Sequence, residues 1–109
     1  MDPKLEQQLL DRSQLSAFAE ASRLLDEGIS SMKDIDLAMR AGAGYPAGPF
    51  AAADQTGLDV VLQKMEALQK AHGESRYYIS PRLRDLVARG HLGVKTGKGF
   101  YEYSGGQPQ

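Results

Sequence analysis

The sequence predicts an all-α domain of about five helices in a bundle, with a short extended tail at its C-terminus. Apolar residues recur at intervals of three and four along most of the chain, glycines stand where those runs end, and no convincing pair of strands is present. A chain of 109 residues is long enough for one domain with one hydrophobic core. We therefore expect a single helical domain over residues 1–104 and a flexible tail over residues 105–109.

Composition and charge are those of an ordinary globular protein. Hydrophobic residues make up 41% and charged residues 25% of the sequence, and 13 basic against 14 acidic side chains leave a formal net charge of −1. This balance argues against nucleic acid or an anionic membrane as a partner. Because the chain has no cysteine, no signal-peptide pattern and no apolar run of the ~20 residues that span a bilayer, we expect a cytoplasmic protein without a membrane segment.

The first predicted helix begins at Asp2–Pro3, a capping residue followed by proline at the first helical position, and ends at Gly28. Its apolar stripe consists of Leu5, Leu9, Leu10, Phe18, Ala21, Leu24 and Leu25. Polar residues accumulate over residues 11–16, so an earlier break in that segment is an alternative.

A second helix is expected to start at a cap provided by Ser30 or Ser31 and to end at Gly42. Its apolar face contains Met32, Ile35 and Met39. Asp34 and Asp36 are two residues apart and point to different faces of this helix, so they cannot share a proton. We expect them to cap the helix and to complement its positive N-terminal end.

Two segments, 42–50 and 95–101, combine backbone-special residues with aromatic ones. Their members are Gly42, Gly44, Tyr45, Pro46, Gly48, Pro49, Phe50, Gly97, Gly99, Phe100 and Tyr101. Glycine permits positive φ or close backbone approach, and proline fixes φ and lacks an N–H donor. We therefore predict that both segments are non-helical elbows packed against their own aromatic side chains, and that Pro49 opens a short third helix.

Two further helices follow the third, which Gly57 ends. The fourth has an apolar stripe and ends near His72–Gly73; the stripe is Leu58, Val61, Leu62, Met65 and Leu68. Ser80–Pro81 opens the fifth, which ends before Gly90 and buries Leu83, Leu86 and Val87. After Gly93 the helical spacing is lost, and Phe100, Tyr101 and Tyr103 favour an extended tail.

Patterns for catalysis, metal binding or nucleotide binding are weak in these residues. His72 and His91 stand outside any zinc-like arrangement. The stretch 95–99 suggests a phosphate loop, but Leu92 occupies the place of the required first glycine, so tight turns before an aromatic anchor explain it better. Arg82, Arg84 and Arg89 form a small basic cluster, either a solvated face or a contact for an acidic partner or a coenzyme A phosphate.

A series of short motifs runs along the chain from Ala17 onward. They are Glu20-Ala21, Glu27-Gly28, Asp34-Ile35-Asp36, Ala38-Met39, the 42–50 segment, Asp54, Gly57-Leu58-Asp59 and the 95–101 segment. In this order and spacing they resemble the C-terminal helical domain of the 3-hydroxyacyl-CoA dehydrogenases, over roughly four-fifths of the chain. The resemblance implies a helical bundle like the C-terminal domains of these enzymes and of the 6-phosphogluconate dehydrogenases.

The resemblance also implies a function. Enzymes of this family oxidise an L-3-hydroxyacyl-CoA to the 3-ketoacyl-CoA with NAD, as in fatty-acid β-oxidation. NAD, the catalytic histidine and its glutamate belong to a Rossmann domain, and the helical domain closes one wall of the acyl-CoA cleft and forms a dimer interface. On this basis we expect no cofactor, metal or catalytic residue within this chain, a Rossmann domain in cis or in trans as partner, and a homodimer.

The first helix departs from the family pattern. Its family counterpart opens with Gly-Phe-x-x-Asn-Arg, whose asparagine approaches the substrate; here Asp11 stands in the asparagine position and Arg12 matches the arginine. A carboxylate cannot donate a hydrogen bond as an amide does, and its charge disfavours a developing alkoxide. By their place in this motif, the resemblance makes Asp11 and Arg12 candidate substrate-side residues. The departure itself indicates either a degenerate second copy, as in fused enzymes that carry two such domains, or a first helix that serves another partner. The alternatives are a non-catalytic helical dimerisation module or an acyl-CoA binding protein.

Overall fold

The computed structural model describes residues 1–43, 46–104 and 107–108. In these residues the chain forms α1 (Pro3–Asp26), α2 (Met32–Ala43), α3 (Pro49–Thr56), α4 (Leu58–His72) and α5 (Pro81–Ala88). A turn of 3-10 helix at Val94–Thr96 follows, and then two short antiparallel strands, β1 (Tyr103–Ser104) and β2 (Gln107–Pro108). The predicted all-α class and the five predicted helices are confirmed. Gly44 and Tyr45 of the first elbow lie outside the described residues.

Helix α1 is continuous, so the alternative break over residues 11–16 does not occur. It starts where predicted, because the Asp2 side chain accepts a hydrogen bond of 3.1 Å from the Lys4 backbone N–H. Its apolar stripe is buried only in the C-terminal half, from Leu15 onward. Leu5, Leu9 and Leu10 are between 47% and 51% exposed, contrary to the uniform stripe predicted for them. Periodicity identified the apolar face, but packing partners cover only its second half.

Helices α2 and α3 meet at the first elbow. Ser31 Oγ accepts the Asp34 backbone N–H at 3.2 Å, which confirms the predicted cap. Gly42 lies inside α2, which ends one residue later at Ala43 rather than at Gly42. Pro49 occupies the first turn of α3, as predicted, and the short α3 is buried through Phe50, Ala53 and Asp54.

Three phenylalanines from separate segments form the centre of the core. Phe18 of α1, Phe50 of α3 and Phe100 of the second elbow pack edge to face, with ring centroids 5.0–5.9 Å apart. Other buried apolar side chains surround them, among them Leu15, Ala21, Ile35, Leu58, Val61, Met65 and Leu83. The second elbow is therefore part of the hydrophobic core and joins the first and third helices.

Helices α4 and α5 and the loop between them close the other side of the core. Tyr77 in that loop is 1% exposed, and its carbonyl accepts the Gln69 side-chain amide at 3.1 Å. Ser80 caps α5 through a bond from the Arg82 backbone N–H. The arginine cluster of α5 is paired with acids on the surface: Arg82 with Asp26, Arg84 with Glu66 and Arg89 with Asp85.

The C-terminal segment is more ordered than a simple extended tail. Gly93 pairs with Lys98 and Lys98 with Glu102 as isolated bridges, and β1 pairs with β2 in the register Tyr103–Pro108 and Ser104–Gln107. The expectation of no strand pair is thus corrected by two strands of two residues each. Their local turn pairing is too short to give a period-two pattern. Flexibility over 105–109 stays a prediction. None of the helices within the described ranges is long and apolar enough to cross a bilayer.

Candidate functional site

An open cleft of about 410 Å³ lies between the N-terminal half of α1, helix α3 and the start of α4. Its apolar wall consists of Leu15, Ala17, Phe18, Pro46, Ala47, Pro49, Ala52, Ala53 and Val61. Its polar side chains are Gln7, Asp11, Gln14, Gln55, Thr56 and Lys64. Apolar walls with a few convergent polar groups are typical of sites for small organic ligands.

Asp11 lies on the wall of this cleft and is held by two donors. Gln7 Nε2 donates to Asp11 Oδ1 at 2.8 Å, and Lys64 Nζ donates to Asp11 Oδ2 at 3.2 Å. The Asp11 side chain is 27% exposed and that of Lys64 is 41% exposed. The Lys64 ammonium therefore offsets much of the negative charge that Asp11 brings to the cleft. Sequence reasoning identified Asp11 and missed Lys64, whose only signal was its place on α4 beside the buried stripe.

Arg12 does not share the cleft with Asp11. Consecutive helical residues project about 100° apart, and Arg12 lies against the loop between α4 and α5 instead. Its Nε donates to the Tyr77 phenol oxygen at 3.2 Å. The two candidate substrate-side residues are thus separated by the structure, and only Asp11 lines the cleft.

Beneath the cleft floor, Asp54 of α3 anchors the second elbow. It is 0% exposed, and its carboxylate accepts the backbone N–H of Phe100 at 2.9 Å, the backbone N–H of Tyr101 at 3.0 Å and the Tyr103 hydroxyl at 2.6 Å. Burial raises the pKa of Asp54, an effect that these hydrogen bonds oppose. The carboxylate replaces the helix or sheet partners that the elbow backbone lacks.

Asp36 of α2 does the same for the first elbow. Its carboxylate accepts the Phe50 and Ala51 backbone N–H groups at 2.8 and 3.0 Å, and the Tyr101 hydroxyl at 2.7 Å. The prediction that Asp36 serves its own helix is therefore wrong, because this buried side chain satisfies the free amides at the start of α3. Gly48 is required there, since a Cβ at this position would overlap the Asp36 side chain.

The sequence contains a signal for the burial of both aspartates. Asp36 follows Met32 and Ile35 at the spacing of a buried stripe, and Asp54 follows Phe50 and Ala53 in the same way. A carboxylate in a buried stripe needs partners. Spacing shows that partners exist but does not identify them.

The second elbow serves packing rather than phosphate binding. A Cβ on Gly99 would overlap the Asp54 carboxylate and approach Gly93 Cα to 2.6 Å, which explains the glycine. Lys95 Nζ pairs with Asp59 at 2.6 Å and Lys98 Nζ with Glu102 at 3.4 Å, so both lysines face acids. Within the described part of the chain, no group of three or more His, Cys, Asp or Glu side chains could hold a metal ion.

Tyr101 of the second elbow and Tyr103 of β1 make stability sensitive to alkali. Burial and hydrogen bonds to Asp36 and Asp54 raise the pKa of Tyr101 and of Tyr103 above their usual 10. Because the folded pKa exceeds the unfolded one, this stabilisation is complete below pH 10 and is lost as pH rises above it. We expect the urea concentration at the midpoint of unfolding to decrease as the pH is raised above 10, and Tyr103→Phe to make this decrease smaller. An equal decrease with pH in both proteins would contradict this.

Comparison with known proteins identifies a family with this architecture. The sequence profile described as 3-hydroxyacyl-CoA dehydrogenase, C-terminal domain, matches residues 9–103. A probable 3-hydroxyacyl-CoA dehydrogenase of Caenorhabditis elegans is 45% identical over 96 residues, which is 87% of this chain and 32% of that protein. A 3-hydroxybutyryl-CoA dehydrogenase of Bradyrhizobium diazoefficiens is 40% identical over 100 residues, or 92% of this chain and 34% of that protein.

Solved structures agree with the sequence matches. The 3-hydroxybutyryl-CoA dehydrogenase of Escherichia coli K12 superposes with a TM-score of 0.78 at 35% identity, over 85% of this chain and 20% of that one. The (S)-3-hydroxybutyryl-CoA dehydrogenase of Ralstonia eutropha gives 0.72 at 39% identity, over 89% of this chain and 33% of that one. The chain spans about a third of the length of the curated relatives above. It belongs to the family of 3-hydroxyacyl-CoA dehydrogenase C-terminal domains.

Proposed function

We propose that this domain forms the substrate-side wall of an NAD-dependent L-3-hydroxyacyl-CoA dehydrogenase. The observation that carries the proposal is the family match over residues 9–103, which includes α3, α4 and α1 from residue 9 onward, and so nearly all of the cleft lining. A Rossmann domain, in cis or in trans, would hold NAD and the catalytic histidine and glutamate. The helical domain would supply an apolar wall for the acyl chain and exclude water from the reacting carbon.

The unpacked half of α1 supports a neighbouring domain or subunit on this helix. Leu5, Leu9 and Leu10 are about half exposed on the helix that borders the cleft. Apolar side chains clustered on one helix are commonly covered by another domain or subunit. None of the three leucines lines the cleft, so a neighbouring domain or subunit on this surface would contact α1 without closing the cleft.

Within the cleft, Asp11 would stand near the reacting oxygen. Its carboxylate accepts hydrogen bonds from Gln7 and Lys64 and so donates none to a substrate. The Lys64 ammonium reduces the repulsion that Asp11 would exert on a developing alkoxide. We therefore infer a domain that retains a substrate wall with a weakened polar contact.

A chimeric enzyme tests the proposal. This chain would replace the helical domain of the Bradyrhizobium diazoefficiens 3-hydroxybutyryl-CoA dehydrogenase, and NADH formation with 3-hydroxybutyryl-CoA would be followed by absorbance. We expect NAD-dependent turnover above that of the relative's remaining domain alone, and none from the 109-residue chain by itself. A folded chimera with no rate gain would refute the substrate-wall function.

Asp11→Asn in that chimera should raise kcat about tenfold. The amide removes a negative charge from the cleft and adds a donor. A preorganised oxyanion donor contributes roughly 10²–10³ in kcat, and a donor added to this cleft should recover about tenfold of it. Asp34→Asn, on exposed surface of α2, is the matched control and should leave kcat unchanged. If Asp11→Asn acts no more strongly than the control, Asp11 lies away from the reacting atoms.

A non-catalytic dimerisation module is the second candidate. The exposed apolar side chains favour it, since Ile29 and Leu37, 66% and 52% exposed, add to the leucines of α1. Sedimentation velocity at micromolar concentration, combined with the activity of the chimera, distinguishes the two candidates. A dimer together with an inactive, folded chimera would favour the module; a monomer would remove its main support.

A further inference from the structure

A second depression lies on the side of α1 opposite Asp11. It has a volume of about 380 Å³ and is lined by Leu9, Arg12, Ser13, Ser16, Arg76 and Tyr77. Four of these residues come from successive turns of α1, and two come from the loop that joins α4 to α5. The site therefore depends on tertiary packing and is separate from the cleft that the proposed function uses.

The charge in this depression is positive and uncompensated. Arg23, Arg82, Arg84 and Arg89 each pair with a carboxylate. Among the residues that the structure describes, Arg12 and Arg76 have no carboxylate within 4.0 Å. Two guanidinium groups converging without an acid favour an anion with several oxygens, since each can donate two parallel hydrogen bonds to it.

Tyr77 adds a directed donor. The residue is 1% exposed, and its phenol oxygen already accepts a hydrogen bond from Arg12 Nε at 3.2 Å. Among the described residues its hydroxyl donates no hydrogen bond of good geometry, Ser16 lies beside it, and Tyr77 lines the depression. The hydrogen bond from Arg12 first, and then Ser16 and the charge of Arg76, lower the pKa of Tyr77 and so strengthen it as a donor.

We propose that Arg12, Arg76 and the Tyr77 hydroxyl, with the Ser13 and Ser16 hydroxyls beside them, bind a phosphoryl group. A tetrahedral dianion can accept from both guanidinium groups and from three hydroxyls at once, whereas a halide offers no such geometry. Leu9 forms an apolar edge, about half exposed, on which the organic part of a phosphate ester could lie. The ligand is a phosphate monoester or free inorganic phosphate.

Titration of the full chain tests this directly. Inorganic phosphate and phenyl phosphate would be added at constant ionic strength, adjusted with chloride, while backbone amide shifts are followed by two-dimensional NMR. We expect saturable shifts confined to residues 9–16 and 75–78. Tighter binding of phenyl phosphate identifies an ester that uses Leu9, and equal binding identifies free phosphate. Absence of saturable shifts with both probes would overturn the proposal.

Variants separate a binding site from a structural contact. Arg76→Gln should weaken phosphate binding about tenfold, since one charge-assisted contact is lost, and Arg76 is exposed, so the fold should tolerate it. Tyr77→Phe removes only the hydroxyl and should also weaken binding. Arg40→Gln is the matched control, because Arg40 is exposed on α2 and lies outside the depression. Equal affinity in the Arg76 and Arg40 variants would refute the site.

Discussion

Asp54→Ala is expected to lower the free energy of unfolding by about 3–5 kcal/mol, because it leaves three partly buried donors without their acceptor. Two are backbone N–H groups of the second elbow, and the third is the Tyr103 hydroxyl. A domain of this size has roughly 5–15 kcal/mol of stability in total, so the loss would approach global unfolding. Urea denaturation followed by circular dichroism measures it.

Asp59→Ala provides a control of the same residue type. Asp59 also makes a short contact, 2.6 Å to Lys95 Nζ, but both side chains are nearly half exposed. Exposed ion pairs contribute little, so we expect a loss far smaller than that of Asp54→Ala. Comparable losses in the two variants would show that the second elbow does not depend on the buried carboxylate.

Gly93→Ala is expected to be the most damaging glycine substitution, at about 3–5 kcal/mol. Gly93 has a φ of 104°, which L-residues rarely adopt, and its Cβ would lie 2.7 Å from Asp54 Cα. The added Cβ is bonded directly to the backbone and Asp54 Cα is itself a backbone atom. No change of side-chain rotamer can therefore relieve the overlap. Thermal and urea unfolding of the variant give the measurement.

Gly90→Ala separates backbone strain from overlap. Gly90 also has positive φ, 77°, but nothing lies within 4 Å of a Cβ placed there. Only the cost of the left-handed conformation remains, about 1 kcal/mol. A Gly90 variant as unstable as the Gly93 variant would show that φ alone matters and that the close approach to α3 does not.

Local signals predicted the helices well. Asp2–Pro3, Pro49 and Ser80–Pro81 act on their own turn of backbone, so each start could be assigned without knowing the rest of the fold. The same locality explains the miss at Gly42, where a glycine without positive φ lies inside the last turn of α2. It also explains why Leu5, Leu9 and Leu10 were assigned to the core, since a stripe does not reveal which part of it is covered.

The candidate site was only partly predictable. Asp11 was identified through its place in a family motif, but its partner Lys64 lies 53 residues away in sequence. Arg12 was grouped with Asp11 by adjacency, and helical geometry directs it to Tyr77 instead. The roles of Asp36 and Asp54 depend on N–H groups 14 to 47 residues distant, which no local pattern specifies.

By itself, the sequence determined the helical class, the positions of four helix starts and the family. These depend on backbone preferences and periodicity, which act over a few residues. The tertiary structure alone decided which carboxylates hold the elbows, which face of α1 is left uncovered and which cations converge on Tyr77. Those outcomes depend on burial, because a hydrogen bond or a charge has a large effect on the free energy of folding only where packing has removed the water around it.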